Sequence, residues 1–500
     1  MYEHNENQMI LPHEFFLPFG GQLNPDNRWV VMASLIPWNA VEETYIETLG
    51  DTKQGSKAYN VRLALGSLII KERIGLSDED TVEAITENPY LQYFIGLHSF
   101  QQEAPFHASS MTHFRKRFNV ELINELNESI VLEQRKKNKK NHDDNEPPTD
   151  DGHSSEKPNA SSSSESVLPP NQGKLLLDAT CAPSDITYPT DIGLLNKSRE
   201  KLEKMIDTLH KPLIGKQKKP RTYRVKARKE FLSLTKQRKP GYQKIREGIE
   251  RQLSYVKRNL LHVKKLVAQV GLDQLNTKQY RDLLVIQEIY RQQSMMYKSQ
   301  THSIEDRIVS ISQPHIRPIV RGKTNAPVEF GAKLSVSLTD GYAFIDTLSW
   351  DAYHEGVFLK DSLESYKERC GYYPEAVLAD TIYRTRENRQ LCKELGIRLS
   401  GPKLGRPSIN QQKNAEQKRI ERQDNADRNA IEGKFGEGKR KYGLGLIQAR
   451  LKQTSETVIA LQFLIMNIEK VLRDSFLPIF QEWVQNILSD FQSKLVYKIA

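Results

Sequence analysis

Apolar and polar positions alternate with different periods in different parts of the chain. Residues 1–133 read as helical. Val61-Arg-Leu-Ala-Leu-Gly-Ser-Leu-Ile-Ile70 is apolar on most faces, as a central helix requires, and Gly75 supplies its stop. Ser77 before Asp78, Glu79 and Asp80 is an N-cap followed by acids that complement the helix dipole, and the short helix it opens turns Val82 and Ile85 inward. Ser109 or Ser110 caps another helix carrying Thr112, Arg115, Lys116 and Arg117. Short helices ending in a Ser/Thr/Arg-rich one fit a helix-turn-helix arrangement, and a small bundle with a solvated basic face fits the same pattern equally well.

Strand patterns begin at residue 174. Lys174-Leu-Leu-Leu-Asp-Ala-Thr180 is an apolar run carrying a carboxylate near its end, the pattern of a buried strand. Residues 328–338 alternate, Thr339-Asp-Gly341 supplies a hairpin turn, and Tyr342–Trp350 is the partner strand. Phe358–Arg369 has helical spacing and stops at Gly371, Ala376-Val-Leu-Ala-Asp380 is a second apolar run closed by an acid, and Arg384–Leu395 is a helix ending at Gly396. Ile397–Ser400 is a short strand, and a charged helix begins near Asn414. This order of elements predicts a mixed α/β sheet over 174–196 and 313–452, preceded by an all-α domain and followed by helices over 453–500 that cover the sheet or form an interface.

Two segments interrupt that series. From 134 to 173 a basic run, Arg135–Lys140, leads into acidic, Pro-rich and Ser-rich sequence with no period of 2 or 3.6, and is predicted to be a flexible linker. Residues 197–312 form a basic helical insertion, densest at Lys218–Lys229. Leu253, Val256, Leu260, Val263 and Val267 recur at three- and four-residue steps, so that helix can pair as a hairpin with 278–300. Its lysines suit a solvated face or, with Tyr223 and Tyr242 among them, a phosphate backbone.

Composition narrows the class. The 500 residues carry a formal net charge of +10, which points weakly toward a polyanion. With Cys181, Cys370 and Cys392 its only cysteines, the chain has neither a disulfide framework nor a cysteine zinc site, and a reducing cytoplasm fits best. No run is long enough to span a membrane, and the first residues lack a signal-peptide pattern.

Asp178 and Asp380 each close an apolar strand pattern, where a rigid backbone can offer a carboxylate to a ligand. Glu432 lies in a helical stretch in which Arg428, Glu432 and Lys439 fall on one face, within about 40° at 100° per residue. Ile431 and Phe435 flank that face and would anchor it to the sheet, whereas Glu437 lies on another face and is expected in solvent. Gly433, Gly436 and Gly438 each cost about 1 kcal/mol relative to Ala, which predicts a frayed end near Lys439. Asp185, Asp191, Asp340, Asp346 and Asp351 read as turn or cap residues. Three acids so placed suit Mg²⁺, with Mn²⁺ as an alternative, held as two ions about 4 Å apart, with Arg428 and Lys439 gripping phosphates. That geometry would bring the three carboxyl groups within about 8 Å of one another.

At these residues the chain resembles bacterial insertion-sequence transposases of the DDE type. Arg428, Glu432 and Lys439 meet the Arg-x3-Glu-x6-Lys signature of that group, Leu-Leu-Leu-Asp-Ala-Thr around Asp178 is similar to its first strand motif, and Val-Leu-Ala-Asp-Thr-Ile-Tyr-Arg around Asp380 to its second. Ile74–Asp80, Tyr93–Gly96 and Phe114–Arg117 resemble the helical domain that precedes the catalytic one. Asn425 departs from the group, which often has Tyr there. The resemblance implies a ribonuclease-H-like catalytic domain with Asp178, Asp380 and Glu432 as catalytic metal ligands. It also implies metal-dependent cleavage and strand transfer of DNA, and a homodimer holding the element's terminal inverted repeats against target DNA. Arg115, Lys116 and Arg117 are the expected DNA contacts of the N-terminal domain. A catalytically retired DNA-binding relative and a plain metal-dependent nuclease are the competing readings.

Overall fold

The computed structural model describes residues 8, 10–18, 20–49, 57–143, 170–320, 328–402, 405 and 411–499. The first part is helical: α1 (Arg28–Leu35), α2 (Trp38–Leu49), α3 (Val61–Ile74), α4 (Asp78–Glu87), α5 (Pro89–Phe94), α6 (Ser110–Arg117) and α7 (Val120–Asp143). β1 (Lys174–Pro183) is followed by α8 (Asp191–His210), α9 (Arg224–Thr235), α10 (Tyr242–Val270) and α11 (Thr277–Ser299). The chain then forms β2 (Arg317–Val320), β3 (Val328–Thr339), β4 (Tyr342–Ser349), α12 (Leu359–Cys370), β5 (Ala376–Ala379), α13 (Arg386–Glu394), β6 (Arg398–Leu399), α14 (Gln411–Lys441) and α15 (Lys452–Ile499).

The all-α first part, the mixed sheet and the helical insertion match the expected α/β class. α3 is buried from Val61 through Ile70, Gly75 ends it in a left-handed conformation, and the Ser77 hydroxyl accepts the Asp80 N–H to start α4. In the sheet, β1 lies between antiparallel β3 and parallel β5, with β6 parallel beyond β5 and both β2 and β4 paired to β3. Asp340 (φ 52°) and Gly341 (φ 79°) form the two-residue β3–β4 turn, and positive φ at both is what the twist of a tight hairpin demands. One sheet face packs under Ile431 and Phe435 of α14 and Val458, Ile459 and Phe463 of α15, and the other under Leu359 and Leu363 of α12 and Cys392 of α13.

Several expectations need correction. Residues 134–143, assigned above to the linker, continue α7, where Arg135 pairs with Asp340 at 2.6 Å and anchors the helix to the hairpin turn. Residues 144–169 of that segment lie outside the described residues. The insertion starts earlier than 197, since α8 opens at Asp191, and α10 packs against α8 as well as α11 around Leu202, Val256 and Ile286. β2 is too short to show a period and was not expected.

α15 is one helix, and it does more than cover the sheet. Its Leu461, Leu464, Ile465 and Ile468 belong to the same core as α3 and α7. A buried polar seam joins all three parts: Asn467 Nδ2 donates to Asn127 Oδ1 at 2.9 Å and to the Ala343 carbonyl at 2.8 Å, and the Ala343 N–H donates to Asn467 Oδ1 at 3.0 Å. Each buried amide there has a partner, so breaking one member strands the others. Asp346, read as a turn residue, is a buried β4 residue that accepts the Ser337 and Ser362 hydroxyls at 2.6 and 2.7 Å beside Arg369. Burial pushes its pKa up against those partners.

Candidate active site

Strand pairing sets the first two acids. Leu177 of β1 is the register partner of Ala379 of β5, and Asp178 and Asp380 follow directly. Two carboxylates therefore leave adjacent parallel strands at one level, at the carboxyl end of β5, the end where open α/β sheets bind their ligands. Asp178 is half-buried and its Oδ1 accepts the Ala179 N–H at 2.8 Å. Asp380 is exposed and caps the turn after it, its Oδ1 accepting the Thr381 N–H at 2.6 Å.

The loop after Asp380 is clamped from several sides. Tyr383 is buried, the Arg384 guanidinium donates to the Ser400 and Pro402 carbonyls, and Asn388 Nδ2 donates to the carbonyls of Gly356 at 2.7 Å and Tyr383 at 2.9 Å. Much of the Asp-Thr-Ile-Tyr-Arg motif thus holds one carboxylate in place.

Glu432 approaches Asp380 from α14, through Arg428. Ile431 and Phe435 seat the helix in the sheet core, as expected. Arg398 of β6 donates to both Asp424 oxygens at 2.5 and 2.9 Å, and Lys174 of β1 pairs with Asp427 at 2.7 Å. One turn on, Arg428 lies between the acids, with Nη1 3.4 Å from Asp380 Oδ1 and Nη2 3.8 Å from Glu432 Oε1. Asp178 belongs to the same electrostatic locus. Burial raises its pKa, with Glu355 and Glu432 adding to the rise and the Ala179 N–H and Arg428 opposing it.

Three residues stand differently from their sequence readings. α14 runs on to Lys441, so Lys439 is not on a frayed end. A Cβ on Gly438 would lie 3.1 Å from Met466 Sδ, so this glycine lets α15 approach. Glu437 faces α15 rather than solvent. Burial raises its pKa, but Lys434, Arg473 and Lys441 outweigh that and leave it lowered. On α6, Arg115 makes a two-pronged pair with Asp78 at 2.9 and 2.5 Å, Arg117 donates to Tyr45 Oη at 2.8 Å, and Lys116 is exposed.

Glu355 was not singled out in the sequence. It pairs with Lys333 at 2.9 Å and raises the Asp178 pKa more than Glu432 does, yet it sits in a short turn before α12 where no periodic pattern marks it. Among the described residues no group of three or more His, Cys, Asp or Glu side chains stands ready to hold a metal ion. The expected metal cage is not preformed: the Arg428 guanidinium stands between Asp380 and Glu432, and its single positive charge offsets only part of their two negative ones. The donors themselves are all carboxylate oxygens, which fit Mg²⁺ or Mn²⁺ rather than a soft metal.

Comparison with known proteins agrees with this layout. Residues 18–117 match the family described as Transposase domain (DUF772), and residues 377–469, which hold Asp380, Arg428, Glu432 and Lys439, match the family described as Transposase DDE domain. Two separate stretches of the chain are thus similar to transposase domains, one of them of the DDE type. A Rhizobium meliloti protein described as "Uncharacterized protein ORF8 in nfe locus" is 38% identical over 109 residues, 22% of this chain and 52% of that protein. The chain therefore spans about half the length of this curated relative. No solved structure matches. Among the described residues no helix is long and apolar enough to cross a membrane.

Proposed function

We propose that the chain cuts DNA at the ends of an insertion sequence and joins the freed 3′-hydroxyls to target DNA, with Asp178, Asp380 and Glu432 as the catalytic acids of a ribonuclease-H-like domain. The reading is supported by Asp380 and Glu432 flanking one guanidinium, Arg428, at 3.4 and 3.8 Å, with Asp178 on the neighbouring strand at the level of Asp380. Asp178, Asp380 and Glu432 would hold Mg²⁺, or Mn²⁺, as two ions. Such ions activate an attacking oxygen and stabilise the leaving one.

The chain's own residues do the rest. β1 and β5 fix two carboxylates at one height on a rigid sheet, and α14 delivers the third. Arg428, only partly exposed, has a planar fork suited to a phosphate once its carboxylate partners are otherwise neutralised, and Lys439 adds a second cation on the same helix face. Asp178 is half-buried, where charge interactions are stronger than in open solvent. In the N-terminal domain, Lys116 is the α6 cation open to DNA, while Arg115 and Arg117 hold that helix in position. Holding two element ends requires a homodimer on DNA.

The test uses the full chain with a duplex bearing the repeats that flank its gene. Divalent-ion-dependent nicking, followed by joining to a plasmid, is the expected result. Asp380→Ala should lose both while still binding DNA. Nicking without joining would make the protein a plain nuclease, and binding without nicking by the wild type would make it a retired relative.

A further inference from the structure

The positive charge of this chain is concentrated in one place. From Lys211 to Val270 there are nineteen lysines and arginines against three acids, Glu230, Glu247 and Glu250. The remaining residues hold 54 basic and 60 acidic side chains by difference, so the rest of the chain is net acidic.

Within that segment the structure separates cations that build the fold from cations that do not. Arg224 is fixed by both oxygens of Asp207 at 3.1 and 2.8 Å. Arg258 donates to the Thr222 carbonyl at 2.8 Å and covers the ring of Tyr223, whose left-handed φ of 50° marks the start of α9. Of the acids, Glu230 is taken by the Tyr255 hydroxyl at 2.9 Å and Glu247 faces Arg251 at 3.6 Å.

These interactions lock α9 to α8 and α10 through Ala227 and Leu234. Its opposite face carries Arg228 and Lys229, with Lys236 at the C-terminal cap, around a shallow depression lined also by Val225, Leu232 and Ser233, and Lys226 stands exposed on the flank of that face. Twelve helical residues span roughly 18 Å, enough to meet several phosphates of one duplex.

We propose that the outer face of α9 grips the phosphate backbone of duplex DNA, making the insertion the DNA-holding arm of the protein. The inference rests on the DNA-processing reading above, and it assigns the grip to a rigid, positively charged helix face outside the carboxylate site.

The experiment uses the full chain in which Lys226, Arg228, Lys229 and Lys236 are all changed to Gln, with a duplex of roughly 30 base pairs of arbitrary sequence titrated from about 50 to 200 mM salt. Removing one cation that neutralises a phosphate lowers the slope of log K against log salt by about 0.9, so the slope should fall by about 3 to 4 and binding at low salt should drop by at least about tenfold. Changing the exposed Lys360 and Lys393 to Gln should leave the slope as it was. Lysine–arginine exchanges at the α9 positions should keep it, and Arg228→Gln alone should remove about one unit if the fourfold variant unfolds. An unchanged slope in the folded variant overturns the proposal. Wild-type nicking, measured alongside, separates the two readings: nicking with an unchanged slope rejects only the α9 grip, whereas a lowered slope without nicking keeps the grip and rejects the enzyme.

Discussion

α6 and α14 both present arginine as the residue to watch, and they use it in opposite ways. Arg115 of α6 is 11% exposed and its guanidinium is consumed by both oxygens of Asp78, a partner supplied by the first turn of α4. Arg428 of α14 is 27% exposed and lies at 3.4 and 3.8 Å from two acids that are themselves more than half exposed. The first arrangement is a closed, charge-assisted pair that fixes one helix against another. The second is open, with longer separations, and its acids remain free to take other partners. Sequence charge alone does not distinguish them; what decides is how far the partner carboxylate is buried and how directly it is gripped.

The largest expected effect lies at the open end of this comparison. Asp178→Asn or Asp380→Asn should reduce strand cleavage by on the order of 10³-fold, several kcal/mol of transition-state stabilisation, in single-turnover assays on saturating DNA. Arg428→Ala should cost less, about 10- to 100-fold, because it positions phosphate and carboxylates without replacing them. If cleavage by Arg428→Ala equals wild type, the open pair has no part in catalysis.

At the closed end the cost should appear in stability instead. Arg115→Ala leaves Asp78 without its two charge-assisted bonds and should destabilise the fold by about 1–3 kcal/mol in denaturant titration. A variant of unchanged stability but weakened DNA binding would move Arg115 into the DNA interface.

The glycines of α14 give a smaller contrast within one helix. Gly438→Ala must fit a methyl 3.1 Å from Met466 Sδ and 3.2 Å from Leu444 Cδ2, and should destabilise by about 1 kcal/mol or more. Gly433 has nothing within 4 Å, so Gly433→Ala should stabilise by about 0.5–1 kcal/mol through helix propensity. Equal signs for the two changes would mean that α14 and α15 do not meet closely at Gly438.

The smallest effect is a pH dependence. The Asp178 carboxyl holds its proton more tightly in the folded protein than in the unfolded chain. Its contribution to stability is therefore fully present below the unfolded carboxylate pKa of 3.8 and lost as pH rises through the raised folded value. At neutral pH, Asp178→Asn removes a half-buried charge and should raise Tm slightly, with the gain shrinking toward acid. A fall in Tm at neutral pH would show that the carboxylate is stabilising where it stands.

Much of this site could be read along the chain, for identifiable reasons. β1 and β5 are buried on both faces before each acid, so they read as continuous apolar runs; Asp380 does follow the end of β5, whereas Asp178 lies inside β1, which runs on to Pro183. Ile431 and Phe435 repeat at the step of four that seats a helix on a sheet, which fixed where Arg428 and Glu432 could point. Glu355 gave no such signal, because a four-residue turn has no period and its partner Lys333 lies twenty-two residues away on β3. The role of Asp346 was hidden because its serine partners come from β3 and α12, and nothing local shows that a polar residue beside a turn will be buried. α15 read as a cover for the sheet because its apolar positions are nearly continuous, and only the packing shows that it serves two cores at once.

The central claim is that Asp178, Asp380 and Glu432 act together on a divalent cation in DNA cleavage. Cysteine placed at Asp178 or Asp380 offers a thiolate, which Mg²⁺ binds poorly and softer divalent ions bind well. Cleavage by Asp380→Cys should vanish with Mg²⁺ and return at least in part with Mn²⁺ or Cd²⁺, while Asp380→Ala stays inactive with every ion. Full activity of Asp380→Cys with Mg²⁺, or of Asp380→Ala with any ion, would contradict the account.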